Sequence, residues 1–167
     1  MNTKQTDDTT QASADFAGVP KLDDQICFAL YSASGLMTRL YRPLLEPLGL
    51  TYPQYLAMMA LWERAPRTVG GLGEVLGLDS ATLTPLLKRL EAGGFITRRR
   101  DAADERRVLL ELTTKGQSLR GPAKDVAVQI LCQFPRLSAV ELDGLHRILA
   151  KLIAGLRETD AKAPAAD

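Results

Sequence analysis

Apolar residues recur at helical spacing over most of the chain. From residue 22 to about residue 45 they cover more than half of the helix circumference, which predicts a helix buried on more than one side. A second helix is expected from Thr51 to about Arg64, with Pro53 in its first turn, where a missing N–H costs little. Near the C-terminus, seven apolar residues three and four positions apart predict a long helix with one apolar face: Leu142, Leu145, Ile148, Leu149, Leu152, Ile153 and Leu156.

The stretch between residues 71 and 112 changes its pattern twice. Two short apolar helices, residues 72–77 and a second helix that begins at Asp79 or Ser80, are joined by a tight turn and predict a helix-turn-helix. The second helix ends at the pair Gly93-Gly94, since glycine adopts the left-handed conformation that ends helices. Residues 95–100 and 108–112 are rich in strand formers, and the loop between them is polar. The order predicts a mainly α protein with a small β-wing, a winged helix-turn-helix.

The remaining segments complete one domain between two tails. Thr113 to Gly116 form a turn that starts a helix, which Gly121-Pro122 bends and Pro135 ends, and Ser138 with Glu141 has the spacing of a capping box. Residues 1–20 and 159–167 are polar and are expected to be disordered tails. Residues 21–158 are expected to form a single domain, with the winged helix-turn-helix at about 51–112. The flanking helices, at about 21–47 and 114–158, have surplus apolar surface, which predicts a homodimer.

Composition adds few constraints. The chain has 167 residues, 46% apolar and 25% charged, with a net charge of +1, so nucleic-acid binding has no support from the overall charge. Locally, residues 88–107 hold seven Lys or Arg against four Asp or Glu, which suits phosphate contacts. There is no apolar run of about 18 residues and no signal peptide, so a cytoplasmic location without a membrane partner is expected. Two distant cysteines and the single His146 match no metal spacing, and no cofactor is expected.

Two long runs of the sequence resemble a known family. The run LDSATLTPLLKRLEAGGFITRRRDAADERRVLLELTTKG resembles the MarR winged-helix repressors, and DDQICFALYSASGLMTRLYRPLLEPLGLTYPQYLAMMALWE is similar to their OhrR branch, the organic-hydroperoxide sensors. The resemblance covers roughly residues 22–156. It implies a homodimeric transcriptional repressor, not an enzyme, that binds a pseudo-palindromic site on double-stranded DNA. Oxidation of a cysteine by an organic hydroperoxide then releases the operator.

The resemblance also assigns the sensor residues. It implies that Cys27 is the reactive cysteine, with Tyr41 and Tyr52 of the other subunit as its partners, Tyr31 as a further pocket residue and Cys132 as the resolving cysteine. The residues alone favour simple core packing for Cys27 and the tyrosines, and a buried apolar position for Cys132. Fourteen residues of continuous helix rise about 21 Å. Cys27 and Tyr41 can therefore touch only across two antiparallel helices, or if the segment folds back.

The family's DNA contacts carry over to the winged helix. The second helix of the helix-turn-helix is expected to enter the major groove, and its candidate contacts are Ser80, Thr82, Thr84, Lys88 and Arg89. In the wing, Arg106 points towards the minor groove and Asp104 is placed to hold it.

Three other functions are compatible with parts of the sequence. A MarR-type repressor can be released by a small phenolic or carboxylate ligand without cysteine oxidation. A thiol peroxidase would use Cys27 and would leave the winged helix unexplained. A wing that binds only protein is disfavoured by the basic recognition face.

Overall fold

The computed structural model describes residues 21–133 and 137–160. These residues fall into two compact units, one that extends to Val126 and one that begins at Ala127. Among them, no helix combines the length and the apolar character that a membrane span needs.

The first helix begins later than the apolar pattern predicts. A short 3-10 helix, Leu22–Asp24, is followed by extended backbone at Gln25, and α1 then spans Ile26–Leu45. Cys27 therefore lies in the first turn of α1, not one turn into it as the sequence suggested. Pro43 lies within the last turn, and the chain reverses at Gly49, whose φ of 69° is in the left-handed region.

Helix α2, Tyr52–Glu63, confirms the second predicted helix. The Thr51 backbone N–H donates to Gln54 Oε1 at 2.8 Å, which caps the helix start. Met58 and Leu61 are fully buried, so α2 lies at the centre of the first unit.

The helix-turn-helix consists of α3, Val69–Leu76, and α4, Ser80–Ala92. Asp79 caps α4 by accepting the Thr82 backbone N–H at 2.7 Å, as predicted. The four leucines of α4 are buried, which leaves its polar side chains on the opposite face: Leu83, Leu86, Leu87 and Leu90. The predicted stop at the glycine pair is confirmed, with Gly94 at a φ of 72°.

The wing is a three-stranded antiparallel sheet in which the last strand of the chain lies between the other two. Strands β2, Ile96–Arg100, and β3, Val108–Leu112, match the prediction and pair from Ile96 with Leu112 to Arg100 with Val108. Strand β1, Arg67–Thr68, was missed. A strand of two residues has no alternation that a sequence pattern can reveal.

The single helix expected after the wing is divided. Helix α5 spans Thr114–Ser118 and is followed by its C-cap residue, Leu119. Helix α6 then spans Arg120–Cys132. The predicted stop at Pro135 lies outside the described residues. Helix α7, Ala139–Asp160, has the predicted capping box, since Ser138 N and Oγ donate to Glu141 Oε2 at 2.8 and 2.7 Å.

Gly116 offers a test of the packing between α5 and the wing. A Cβ at this position would overlap the Phe95 carbonyl oxygen and lie 3.4 Å from Met58 Cε. We expect Gly116→Ala to lower the free energy of unfolding by roughly 1–3 kcal/mol, as overpacking does.

Denaturant titration measures this effect. Gly121→Ala is the matched control, because a Cβ there meets nothing within 4 Å. Equal stability of the two variants would contradict the close packing of Gly116.

Candidate functional site

Cys27 is exposed at the start of α1. Tyr31, one turn further along, is 78% exposed. The interpretation of Cys27 as a core residue of its own chain is therefore wrong, and its thiol is accessible to a reagent or to a second chain.

The opposite end of α1 carries a pair of tyrosines. The ring of Tyr41, late in α1, lies 4.6 Å from the ring of Tyr52, the first residue of α2, with 40° between the planes. The reversal at Gly49 brings the two rings together. Because α1 is continuous, Tyr41 lies about 21 Å along the helix from Cys27. Within one chain, the structure joins the two tyrosines and separates both of them from the cysteine.

A third tyrosine, Tyr55, belongs to the same aromatic cluster. Its ring lies 5.8 Å from that of Tyr41, and its hydroxyl donates to the Ala123 carbonyl at 3.3 Å. The edge of Trp62 packs against it at 6.4 Å, and Trp62 Nε1 donates to the Gly116 carbonyl at 2.9 Å. Tyr55 was not among the site residues predicted from the sequence. The available signal was its spacing of three from Tyr52, which places both on one side of the helix.

Burial raises the pKa of two tyrosines of this cluster, Tyr41 and Tyr55. It raises the pKa of Tyr41, and the neighbouring Tyr52 and Tyr55 add to the shift. Burial likewise raises the pKa of Tyr55, with a further contribution from Tyr52. Both hydroxyls therefore remain protonated, and able to donate, well into the alkaline range.

A cavity of about 600 Å³ lies beside the tyrosine pair, between the end of α1 and the start of α2. Its wall combines Tyr52 with two guanidinium side chains, Arg39 and Arg42, and with the hydroxyls of Thr38 and Thr51. The cavity can hold a small organic molecule that contacts Tyr52.

Cys132 is the last residue of α6 and is exposed. The interpretation of Cys132 as a buried apolar residue is therefore wrong. Its neighbour Leu131 is 62% exposed, so the end of this helix presents apolar surface beside the thiol.

The polar face of α4 is accessible along its whole length. The predicted contacts all lie exposed on it: Ser80, Thr82, Thr84, Lys88 and Arg89. The Thr84 hydroxyl donates to the Ser80 carbonyl at 2.7 Å, which leaves its oxygen lone pairs turned to solvent. A face of hydroxyls with two cations at one end suits contacts to bases and phosphates.

The wing holds an arginine in a fixed direction. Asp104 Oδ1 accepts from Arg106 Nε at 3.1 Å and from its backbone N–H at 3.2 Å, while the Arg106 side chain is 91% exposed. Arg98 and Arg99 on β2 are paired with Glu91 and Glu111, at 2.8 and 2.7 Å. Arg106 is therefore a wing cation that is oriented by a carboxylate and is almost fully exposed to solvent.

Lys115 fastens the end of α4 to the wing, a contact that sequence reasoning missed. Its Nζ donates to the Gly93 carbonyl at 2.8 Å and lies 4.5 Å from the centre of the Phe95 ring. A cation at a helix C-terminus satisfies carbonyls that have no partner within the helix. No cluster of three potential metal ligands occurs within residues 21–133 and 137–160.

Comparison with known proteins relates the chain to transcriptional regulators. The family described as transcriptional regulator SarA/Rot matches residues 39–120. The organic hydroperoxide resistance transcriptional regulator of Bacillus subtilis is 47% identical over 138 residues, 83% of this chain and 93% of the relative.

Solved structures agree with this relation. AbfR of Staphylococcus epidermidis superposes with a TM-score of 0.71 at 33% identity, over 90% of this chain and 99% of that one. A structure of reduced AbfR bound to DNA has a TM-score of 0.70 at 32% identity, over 88% of this chain and 98% of that one.

The raised tyrosine pKa values predict how stability depends on pH. The unfolded chain releases these protons first, at the ordinary tyrosine pKa of 10.0. The stabilisation is therefore fully present below pH 10 and is lost as the pH rises through the folded-state values. We expect the double variant Tyr41→Phe/Tyr55→Phe to have a shallower loss of unfolding free energy above pH 10 than the parent protein.

Denaturant titrations between pH 8 and pH 11 measure this slope. Tyr31→Phe is the control, because it removes one hydroxyl from an exposed ring. Parallel curves for the parent and the double variant would contradict the assignment of the shift to Tyr41 and Tyr55.

Proposed function

Because the chain belongs to the MarR family of winged-helix regulators, in its organic-hydroperoxide branch, we propose that it is a repressor that organic hydroperoxides release from DNA by oxidising Cys27. One observation carries the proposal most directly: the accessible thiol and the tyrosine pair occupy opposite ends of one rigid helix. Two copies of α1 packed antiparallel would place the Cys27 of each chain beside the Tyr41 and Tyr52 of the other.

A homodimer is part of this proposal. Large apolar side chains are exposed on α1 and α7. Monomeric proteins rarely expose so much contiguous apolar surface, which favours a partner. The exposed side chains are Ile26, Leu30 and Leu36 on α1, and Val140, Leu145, Ile148, Leu152, Ile153 and Leu156 on α7. A partner chain would cover both faces and complete two sensor sites at once.

The proposed sensing reaction begins with attack of the Cys27 thiolate on the distal oxygen of the hydroperoxide. The O–O bond breaks, the sulfur becomes a sulfenic acid, and the alkoxide takes up a proton and leaves as an alcohol. The hydroxyls of Tyr41 and Tyr52 donate hydrogen bonds to the sulfur anion and to the departing oxygen. Tyr41 can do so without adding charge, because its raised pKa keeps the proton in place.

Cys132 then closes the reaction in the proposed cycle. Its thiolate attacks the sulfenic sulfur, a disulfide forms, and hydroxide leaves and is protonated to water. The disulfide protects Cys27 from further oxidation and is reversible by thiols. It would join the end of α6 covalently to the first turn of α1 of a sensor site, and we propose that this alters the spacing of the two recognition helices.

DNA recognition in the reduced state is assigned to α4 and the wing. We propose that α4 enters the major groove with its exposed hydroxyls, Lys88 and Arg89, and that Arg106, oriented by Asp104, reaches the minor groove. A two-fold dimer then requires a pseudo-palindromic operator. Each sensor site consumes one hydroperoxide when its Cys27 is oxidised, so in this proposal the protein acts as a sensor and not as a catalyst.

A second candidate function is favoured by the cavity beside Tyr52. Arg39 and Arg42 outnumber the one carboxylate in its wall, Glu46, which suits an anionic ligand, so a small phenolic or carboxylate ligand could release DNA without oxidation. This candidate predicts that salicylate, taken as a probe, releases the operator from Cys27→Ser as well as from the parent protein.

Arg106 in the wing offers a test of the assigned DNA contacts. Arg106→Ala should weaken operator binding about tenfold, and the dependence of binding on salt should become less steep if the contact is to a phosphate. Fluorescence anisotropy at several salt concentrations measures both quantities.

Arg147→Ala is the matched control for this loss of charge. It removes an arginine that is also paired with an aspartate, Asp143 at 3.2 Å, but lies on α7. Unchanged affinity in Arg106→Ala would rule out the assignment of the wing.

Substitution of each cysteine tests the proposed oxidation chemistry. Cys27→Ser should hold its operator in the presence of cumene hydroperoxide, because the nucleophile is absent. Cys132→Ser should form a sulfenic acid at Cys27 but no disulfide-linked species on non-reducing gels, and should overoxidise faster. Gel-shift assays and intact-protein mass spectrometry distinguish these states.

Release of Cys27→Ser by the hydroperoxide would reject the oxidation mechanism. Release of Cys27→Ser by the carboxylate probe alone would instead support the second candidate.

A further inference from the structure

Tyr55 has no role in the sensing chemistry proposed above, yet it is the most firmly held member of the aromatic cluster. Its side chain is 2% exposed, so it touches neither the solvent nor a partner chain. Any influence on a reaction at Cys27 must therefore pass through a neighbouring side chain. The ring it contacts at 5.8 Å is that of Tyr41.

Two contacts fix the Tyr55 ring. The hydroxyl is bonded to the Ala123 carbonyl at 3.3 Å, which connects it to α6. The edge of Trp62 closes one side, and Trp62 is itself anchored to the Gly116 carbonyl at 2.9 Å. Aromatic pairs have preferred orientations, so a ring held at two ends limits the positions available to the ring packed on it.

Tyr41 has less support of its own. It is half-buried on the last turns of α1, and its other aromatic contact is Tyr52, 4.6 Å away, which is also half-buried. Without a fixed neighbour behind it, the Tyr41 side chain has rotamer freedom to lose before its hydroxyl can meet a reacting sulfur.

We infer that Tyr55 is a positioning residue of the peroxide sensor: anchored to α6 and Trp62, it holds the Tyr41 ring so that the Tyr41 hydroxyl is aimed at the reactive thiol. The inference rests on the proposed function, since it assumes that Tyr41 assists the oxidation of Cys27. Tyr55 itself does not touch the hydroperoxide or the cysteine.

A double-mutant cycle tests this arrangement. The measured quantity is the second-order rate constant for loss of the Cys27 thiol on mixing full-length protein with cumene hydroperoxide, followed by alkylation and mass spectrometry. Tyr41→Phe, which removes the donor, should slow the reaction about tenfold. Tyr55→Leu should slow it about fivefold, the size of one lost aromatic pair.

The decisive variant combines both changes. If Tyr55 acts through the Tyr41 hydroxyl, Tyr55→Leu should have less than about a twofold effect in the Tyr41→Phe background. Tyr55→Phe, which keeps the ring but loses the bond to Ala123, should react at a rate between those of Tyr55→Leu and the parent. Additive effects of the two substitutions, or equal rates for Tyr55→Phe and Tyr55→Leu, would overturn the inference.

A matched control separates positioning from loss of stability. Met58→Ala removes a fully buried side chain from the same helix and should lower the melting temperature without changing the oxidation rate. A rate loss in Met58→Ala as large as that in Tyr55→Leu would attribute the effect to general loosening and reject a specific role.

The parent protein decides the underlying function in the same experiment. If hydroperoxide leaves the parent Cys27 unmodified, the proposed sensing function fails. If the parent is oxidised and Tyr55→Leu reacts at the parent rate, the sensing function stands and the role of Tyr55 is rejected.

Discussion

The continuity of α1 is the constraint on which the other features of this molecule depend. A helix of twenty residues keeps its ends apart, and here the ends carry an accessible thiol and a pair of tyrosines. Neither group can reach the other within one chain. In the proposed function, this separation makes sensing a property of the dimer, because each site takes its nucleophile from one chain and its hydroxyl donors from the other. Any change in the packing of the two α1 helices then also changes the reactivity of the sensor.

Helix α2 connects the tyrosines with the winged helix. Tyr52 and Tyr55 lie at its start, and Trp62 near its end bonds to Gly116 at the base of the wing. The same base is tied to the end of α4, since Thr113 Oγ1 donates to the Gly94 carbonyl at 2.6 Å and Lys115 Nζ to that of Gly93. These hydrogen bonds link α2, the base of the wing and the end of α4, so they favour movement of the winged helix as one body. A shift imposed at the start of α2 would then be expected to reorient α4.

The sequence was informative where periodicity or capping chemistry is local. The buried leucines of α4, the cap at Asp79 and the two longer strands follow from such patterns. The two-residue strand β1, the late start of α1 at Ile26 and the break at Leu119 depend on tertiary pairing and on backbone geometry, which leave no periodic signal. The site divided in the same way. Residue types and family resemblance indicated Tyr41 and Tyr52, whereas the anchoring of Tyr55 by Ala123 and Trp62 requires contacts between distant segments. The apolar pattern also did not predict that both cysteines are exposed. An apolar neighbourhood in the sequence does not specify which face a helix buries.

The charge distribution is suited to a repressor that one covalent event must release. With a net charge of +1, the chain has little general attraction for phosphates, and three wing arginines, Arg98, Arg99 and Arg106, are each paired with a carboxylate. Operator affinity in the proposed function would therefore depend on a few oriented groups, Arg106 among them. A change in the separation of two recognition helices can disrupt a small set of matched contacts, whereas a broad cationic surface would tolerate it. Coupling energies between distant sites are typically only a few kcal/mol, about 1–3. With only a few contacts to lose, a coupling of that size would weaken operator binding about 5- to 150-fold in the proposed function.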